Sequence, residues 1–385
     1  MKNKLLLSSA LVGSLAIAGI ASAQTTISGS LDLSYKTISN EGAFTKRTDA
    51  GFGREAQINV QNKGKLSNGL DYAAGFALEF DGKSGNSGSS TTTSSLATSS
   101  TDDAHRRISR ENTYMDIIMG TTTLSVGMDH LNNMSFSSAP RVAQHASTTV
   151  ASAQLTTGSL DLAAGTTSGG VAYQFYPGAA SLGASNYMGL GIQQVTPFGT
   201  ITGQYFPRAS AQQAGNDGVA TGDIADAYEL HFRGDLGVKG LSVNLGRNVV
   251  TAPTAGVVNV GENQKGTAMG IGYNLGQFAL GVQQNKTENG NSVAGSKVDT
   301  KSVEIGATFA ATKEISIGVT HVKTDGTFRE NTNTPMANDE KIKSLTVGYN
   351  LGAITMSATA AKLDDARGVS GNDSDIVLVR AGTRF

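Results

Sequence analysis

The chain has 385 residues, with 30 basic and 31 acidic side chains, 48 glycines, 6 prolines and neither cysteine nor tryptophan. Near-neutral charge excludes a general electrostatic attraction to nucleic acid, and abundant glycine with little proline argues against a disordered or collagen-like chain. Without cysteine no disulfide can form, and no free thiol is exposed on passage through an oxidising compartment.

Lys2 and Lys4 precede an apolar run from Leu5 to Ile20, and Ala21-Ser22-Ala23 follows as an A-x-A site. This order predicts a secretory signal over 1–23, cleaved between Ala23 and Gln24. The alternative, a transmembrane anchor, calls for a longer apolar stretch. After residue 23 no run of about 18 apolar residues occurs, so no membrane helix is expected. An integral membrane protein without helices has to be a closed barrel, because the bilayer core offers no partner to an open sheet edge.

From residue 24 onward apolar and polar residues alternate. Ile27, Leu31, Leu33 and Tyr35 share one face; Ser28, Ser30, Asp32, Ser34 and Lys36 share the other. Leu70, Tyr72, Phe76, Leu78 and Phe80 repeat the pattern against Asp71, Ala73, Gly75, Ala77 and Glu79. Tyr228, Leu230 and Phe232 oppose Glu229, His231 and Arg233, and Val303, Ile305, Ala307 and Phe309 oppose Ser302, Glu304, Gly306 and Thr308. The last residues close the series, with Val377, Val379, Ala381, Thr383 and Phe385 on one face and Arg380, Gly382 and Arg384 on the other. A period of two lets one face meet lipid and the other water. A soluble sandwich alternates as well.

The connections separate the two. Short ones fall at 67–69, 196–199, 236–240, 274–277, 311–313 and 350–353, several built on Asn, Gly or Pro, which permit or pre-set tight-turn dihedrals. Between them lie long polar stretches at 40–52, 82–107, 209–224, 251–264, 289–298, 325–340 and 366–373. Short turns at one end and long loops at the other describe a membrane barrel, with the short turns periplasmic. Strands are expected at 25–39, 53–65, 70–81, 108–119, 122–130, 185–196, 200–208, 225–235, 240–250, 265–274, 278–288, 299–310, 314–324, 341–350, 354–365 and 374–385. That is about sixteen, an even number as closure requires. A further hairpin from Leu160-Asp161-Leu162 and Val171–Phe175 would make about eighteen.

Four segments carry a family resemblance: Ile58-Asn59-Val60 leading to Leu66-Ser67-Asn68-Gly69-Leu70, Gly120-Thr121-Thr122-Thr123-Leu124-Ser125-Val126-Gly127, Asn186-Tyr187-Met188-Gly189-Leu190, and the terminal strand ending in Phe385. In this order they resemble the general outer-membrane porins of Gram-negative bacteria, most closely the alphaproteobacterial type. The resemblance implies an all-β, transmembrane antiparallel barrel over 24–385 whose third long loop folds into the lumen, here 131–184. It also implies a homotrimer in the outer membrane, contact with lipid and lipopolysaccharide, and a terminal aromatic, Phe385, read by the barrel-insertion machinery.

A barrel of this size is too wide for its own side chains to fill and encloses water. Candidate lining residues on the second strand are Glu55, Gln57, Asn59 and Lys63, which alternate onto one face. On the fourth strand either Arg110, Asn112, Tyr114 and Asp116 face the lumen or their neighbours do; Asp116 favours the first, since a carboxylate against lipid is costly. The segment after Gly127 adds Asp129, Arg141, His145 and Asp161. The resemblance implies acids on that loop facing arginines on the wall, with a transverse field that sorts ions. This wall instead offers an acid and two amides, so weak selectivity with a slight cation preference is expected for small hydrophilic solutes and ions. Each inward charge also has a plain reading as solvated lumen lining.

No cofactor is expected. The acid-rich loop Asp364–Asp375 suits a weakly held divalent cation, since carboxylates favour hard cations, but it lacks EF-hand spacing. Five histidines occur without a G-x-S-x-G, H-E-x-x-H or P-loop motif, so no enzyme is expected. The rival readings are a substrate-specific channel and a secreted soluble β adhesin.

Overall fold

The computed structural model describes residues 23–41, 47–81, 109–128, 188–206, 226–251, 263–288, 299–327, 338–365, 370–371 and 373–385. The first strands are β1 (Gln24–Glu41), β2 (Arg47–Lys65), β3 (Asp71–Asp81), β4 (Ser109–Met119), β5 (Thr122–Met128) and β6 (Met188–Thr196). There follow β7 (Gly199–Phe206), β8 (Ala227–Gly234), β9 (Leu241–Val250), β10 (Gln264–Asn274) and β11 (Phe278–Glu288). The series ends with β12 (Asp299–Ala310), β13 (Ile315–Thr327), β14 (Glu340–Asn350), β15 (Ile354–Asp364) and β16 (Asp373–Arg384). Each strand pairs antiparallel with its sequence neighbours, and β16 returns to β1, so the sheet is a closed sixteen-strand barrel. β5 pairs directly with β6, from Thr122↔Gln194 to Met128↔Met188, so no strand lies between them among the described residues; the extra hairpin expected at 160–175 lies outside those residues.

The alternation fixes which face is which. Leu230 is 62 % exposed between Glu229 at 4 % and His231 at 5 %, and Ile305 is 56 % exposed beside Glu304 at 0 %. Polar residues point in and apolar residues point out, the reverse of a soluble fold and the arrangement a lipid solvent imposes. An aromatic girdle marks the short-turn end: Phe278 stacks on Phe309 with ring centroids 4.8 Å apart, and Tyr273, Tyr349 and Phe385 are exposed on the same outer face.

The short turns repeat one device. The side-chain oxygens of Asn68, Asp235, Asn274 and Asn350 accept from the backbone N–H two residues on, at 2.9–3.2 Å. In three of them the donor is a glycine at positive φ: Gly237, Gly276 and Gly352, at 78–84°. A side-chain turn followed by left-handed glycine reverses the chain in minimal length.

Two local features depart from the expected pattern. β2 begins at Arg47 rather than 53 and pairs with β1 as far as Asn40↔Arg47. Arg47–Phe52 lacks sided alternation, but a ladder needs only backbone donors and acceptors. In β4 the register against β3 shifts between Gly75 and Ala77, with Asn112 at φ 49°. This bulge breaks the expected single face of Arg110, Asn112, Tyr114 and Asp116: Tyr114 pairs with Gly75 and Asp116 with Ala73, whereas Arg110 takes the register of Leu78 and Glu111 that of Ala77. An extra residue at a bulge inverts the parity beyond it.

A candidate pore lining

The inward face of β2 carries Gln57, Asn59, Gln61 and Lys63, opposite Ser30, Ser28, Thr26 and Gln24 on β1. Asn59 Nδ2 donates to Gln57 Oε1 at 3.4 Å, and Gln61 Nε2 donates to the Tyr114 hydroxyl. Lys63 is exposed and lies two residues from the end of β2, near the short-turn mouth rather than at mid-height. Tyr114 reaches inward because its neighbours lack side chains. A Cβ at Gly75 would sit 2.7 Å from the Val60 carbonyl oxygen and 2.9 Å from the Tyr114 ring, and one at Gly127 would sit 2.9 Å from Tyr114 Cβ. Next along β4, Asp116 accepts a 2.6 Å hydrogen bond from Ser125 Oγ on β5.

The backbone register aligns Asp32, Glu55 and Asp81 in one row across β1, β2 and β3, and Gln57 with Glu79 in the next row. Asp32 is met from the last strand by Arg380, whose Nε donates to Oδ1 at 3.0 Å and whose Nη2 lies 2.8 Å from Oδ2. This paired guanidinium–carboxylate contact ties the two ends of the chain across the barrel seam. Arg384 joins Asp32 and Arg380 in lining a cavity toward the short-turn end.

The wall across from β1–β4 is polar but less charged. Thr202, Gln204, Glu229, His231, Asn244 and Asn248 on β7–β9 are buried, as are Gln283, Asn285, Ser302 and Glu304 on β11 and β12. His231 Nδ1 lies 3.5 Å from Glu229 Oε1, and Gln283 donates to Asn285 Oδ1 at 3.0 Å. On β13–β16 the inner face instead holds an apolar cluster of Val322, Ile342, Ala361, Leu363 and Ile376. The unbroken run Ile376-Val377-Leu378-Val379 is its sequence signal, since a strand apolar on both faces is one buried on both.

Asp129, Arg141, His145 and Asp161, with the rest of 131–184, lie outside the described residues, as does the inward fold of that loop. Glu55 and Arg110 are placed by backbone register alone. In the acid-rich loop, Asp365 accepts from the Gly371 N–H and Asp373 from the Asp365 N–H, both at 2.9 Å, so these carboxylates serve the loop itself. Among the described residues no cluster of three or more metal-ligating side chains occurs.

A closed cylinder, apolar outside and hydrogen-bonding within, is a transmembrane β-barrel channel. The Gram-negative porin family model matches residues 8–369, and the chain belongs to that family. Solved structures agree on the fold. The anion-selective porin from Comamonas acidovorans aligns over 94 % of this chain and 100 % of its own, at 14 % identity and TM-score 0.60. In-vitro folded OmpT, an outer membrane protein of Vibrio cholerae in its trimer form, aligns over 94 % and 99 % at 13 % identity and TM-score 0.56. A porin refined at 1.8 Å resolution aligns over 94 % and 100 % at 12 % identity and TM-score 0.56. No curated protein sequence matched. The protein is therefore an outer-membrane channel through which solutes diffuse passively.

Proposed function

We propose that the channel is weakly selective and favours cations among small hydrophilic solutes and ions. The observation that carries this is the acidic row Asp32–Glu55–Asp81, followed by Glu79, along one stretch of wall. Carboxylates at a water-filled surface raise the local cation concentration, and a low-dielectric wall focuses their field. Arg380 neutralises part of this row, which keeps the preference modest. Transport involves no covalent step. The zero-current potential across a planar bilayer under a KCl gradient tests the reading. A cation-to-anion permeability ratio above one supports it, and anion preference overturns it.

The same reading includes removal of residues 1–23 on export, assembly as a homotrimer, and Phe385 as the residue the barrel-insertion machinery engages. The trimer form of the Vibrio cholerae neighbour supports the second of these.

A further inference from the structure

One row of the inner wall is nearly bare. Across the register from β2 to β6 it runs Gln61, Gly75, Tyr114, Gly127 and Gly189. Glycine flanks the tyrosine on both sides, so no side chain of β3 or β5 in that row stands beside its ring. The ring lies over β3: a Cβ at Gly75 would meet Tyr114 Cε1 at 2.9 Å and Cζ at 3.2 Å. The inward residues on either side of Gly75 along β3 are small as well, Ala73 and Ala77. Gln61 Nε2 donates to the Tyr114 hydroxyl and holds the tip of the ring at β2. Backbone against one face and a hydrogen bond at the tip fix the ring along the wall, with its other face toward the lumen. Tyr114 keeps partial exposure, whereas Phe206, the other aromatic of inward parity in the described strands, is 1 % exposed. Polar side chains stand in the neighbouring rows, about 7 Å away along the strands. Asn59 is on the long-loop side, and Lys63 and Asp116 are on the short-turn side.

We propose that Tyr114 is a stacking platform on which the pyranose ring of a neutral sugar dwells during passage. The inference deepens the reading of the barrel as a channel for small hydrophilic solutes and rests on it, but not on the ion preference. A pyranose ring has a face of C–H groups, whose slight positive charge suits the negative face of an aromatic ring. Its hydroxyls radiate from the ring edge. There Asn59 can donate and accept, Lys63 can donate and Asp116 can accept. An organic cation is also drawn to a ring face, but it is held best in a cage of several rings. A single ring laid along the wall and bordered by amides fits a flat polar ring better. The tyrosine is already held in place, so binding a sugar orders little of the protein.

The test measures current through the purified protein in a planar bilayer as sugar is added. D-Glucose is compared with D-sorbitol, which has similar size and hydroxyl content but no ring. Glucose is expected to reduce the current saturably, at a half-saturating concentration roughly fivefold below that of sorbitol, the factor one aromatic contact supplies. Tyr114→Leu covers Gly75 without a flat ring and should abolish the difference, while Tyr114→Phe should retain most of it. Tyr273→Leu, on the outer face, should leave it unchanged. Equal action of glucose and sorbitol on the conducting, unaltered protein overturns the platform alone, whether or not the variants fold. So does a glucose preference that survives Tyr114→Leu. Absence of current in sugar-free salt overturns the channel reading itself, and the platform with it.

Discussion

Asp32 and Arg380 have opposite consequences for structure and for permeation. Their side chains are 24 % and 19 % exposed, so the contact is screened by lumen water and contributes about 1 kcal/mol to closing the seam. Its larger effect is on the field: Arg380→Gln leaves Asp32 uncompensated in the backbone register row it shares with Glu55 and Asp81. The variant should fold, and its reversal potential should move toward stronger cation preference. Gly75 makes a steric prediction. Its missing side chain is where Tyr114 enters the lumen, and the nearest obstacle to a Cβ is the fixed carbonyl of Val60. Gly75→Ala should destabilise the barrel by roughly 1–3 kcal/mol, read as a lower temperature for loss of heat-resistant gel migration. Alternation put Gln57 and Asn59 on one face, where they hydrogen-bond each other, whereas the face of Tyr114 was open by parity and was chosen only through Asp116. Arg110 was not legible, because the bulge that shifts its register is made by Asn112 at positive φ rather than by a glycine or proline that would announce it.

Among the elements, β16 shows best what a strand sequence does and does not say. Its outer face, Val377 to Phe385, follows directly from alternation. Its inner face combines Arg380 and Arg384 with Ile376 and Leu378, so one strand contributes both to the charged seam and to the apolar patch. Phe385 ends the strand with two backbone bonds to Gly29, 2.7 and 3.0 Å, and its ring lies where a Gly29 side chain would be, 2.6 Å from an added Cβ. An exposed aromatic over a strand glycine covers bare backbone and seals the seam. Gly29→Leu should displace the ring and lower heat-resistant migration, while deletion of Phe385 should reduce assembly more than the lost contact area explains, read as the assembled fraction in isolated outer membranes. The hairpins at 236–240, 274–277 and 350–353 were legible because Asp-x-Gly and Asn-x-Gly fix their turns by local chemistry, whereas those at 196–199 and 311–313 use a threonine hydroxyl as the acceptor. The start of β2 was not legible, because Arg47–Phe52 has no sided pattern and its pairing is decided by β1.

For the whole molecule, the lipid solvent explains why a chain with so many exposed apolar residues is stable: its strands pair, apart from the β3–β4 bulge, around a ring without edges. Sixteen strands set a circumference that side chains cannot fill, and the inward amides, hydroxyls and acids hold water in the space. Sequence reached this architecture because period and turn spacing are local properties summed over the chain. The acidic row on β1–β3 was half legible, since it appears only when three strands are aligned in register. Single-channel recording in a planar bilayer tests the central claim most directly. Reconstituted protein is predicted to give discrete conductance steps that persist with glucose-sized solutes in the bath, and a reversal potential of cation-preferring sign. A barrel that inserts and folds but passes no current would contradict the account.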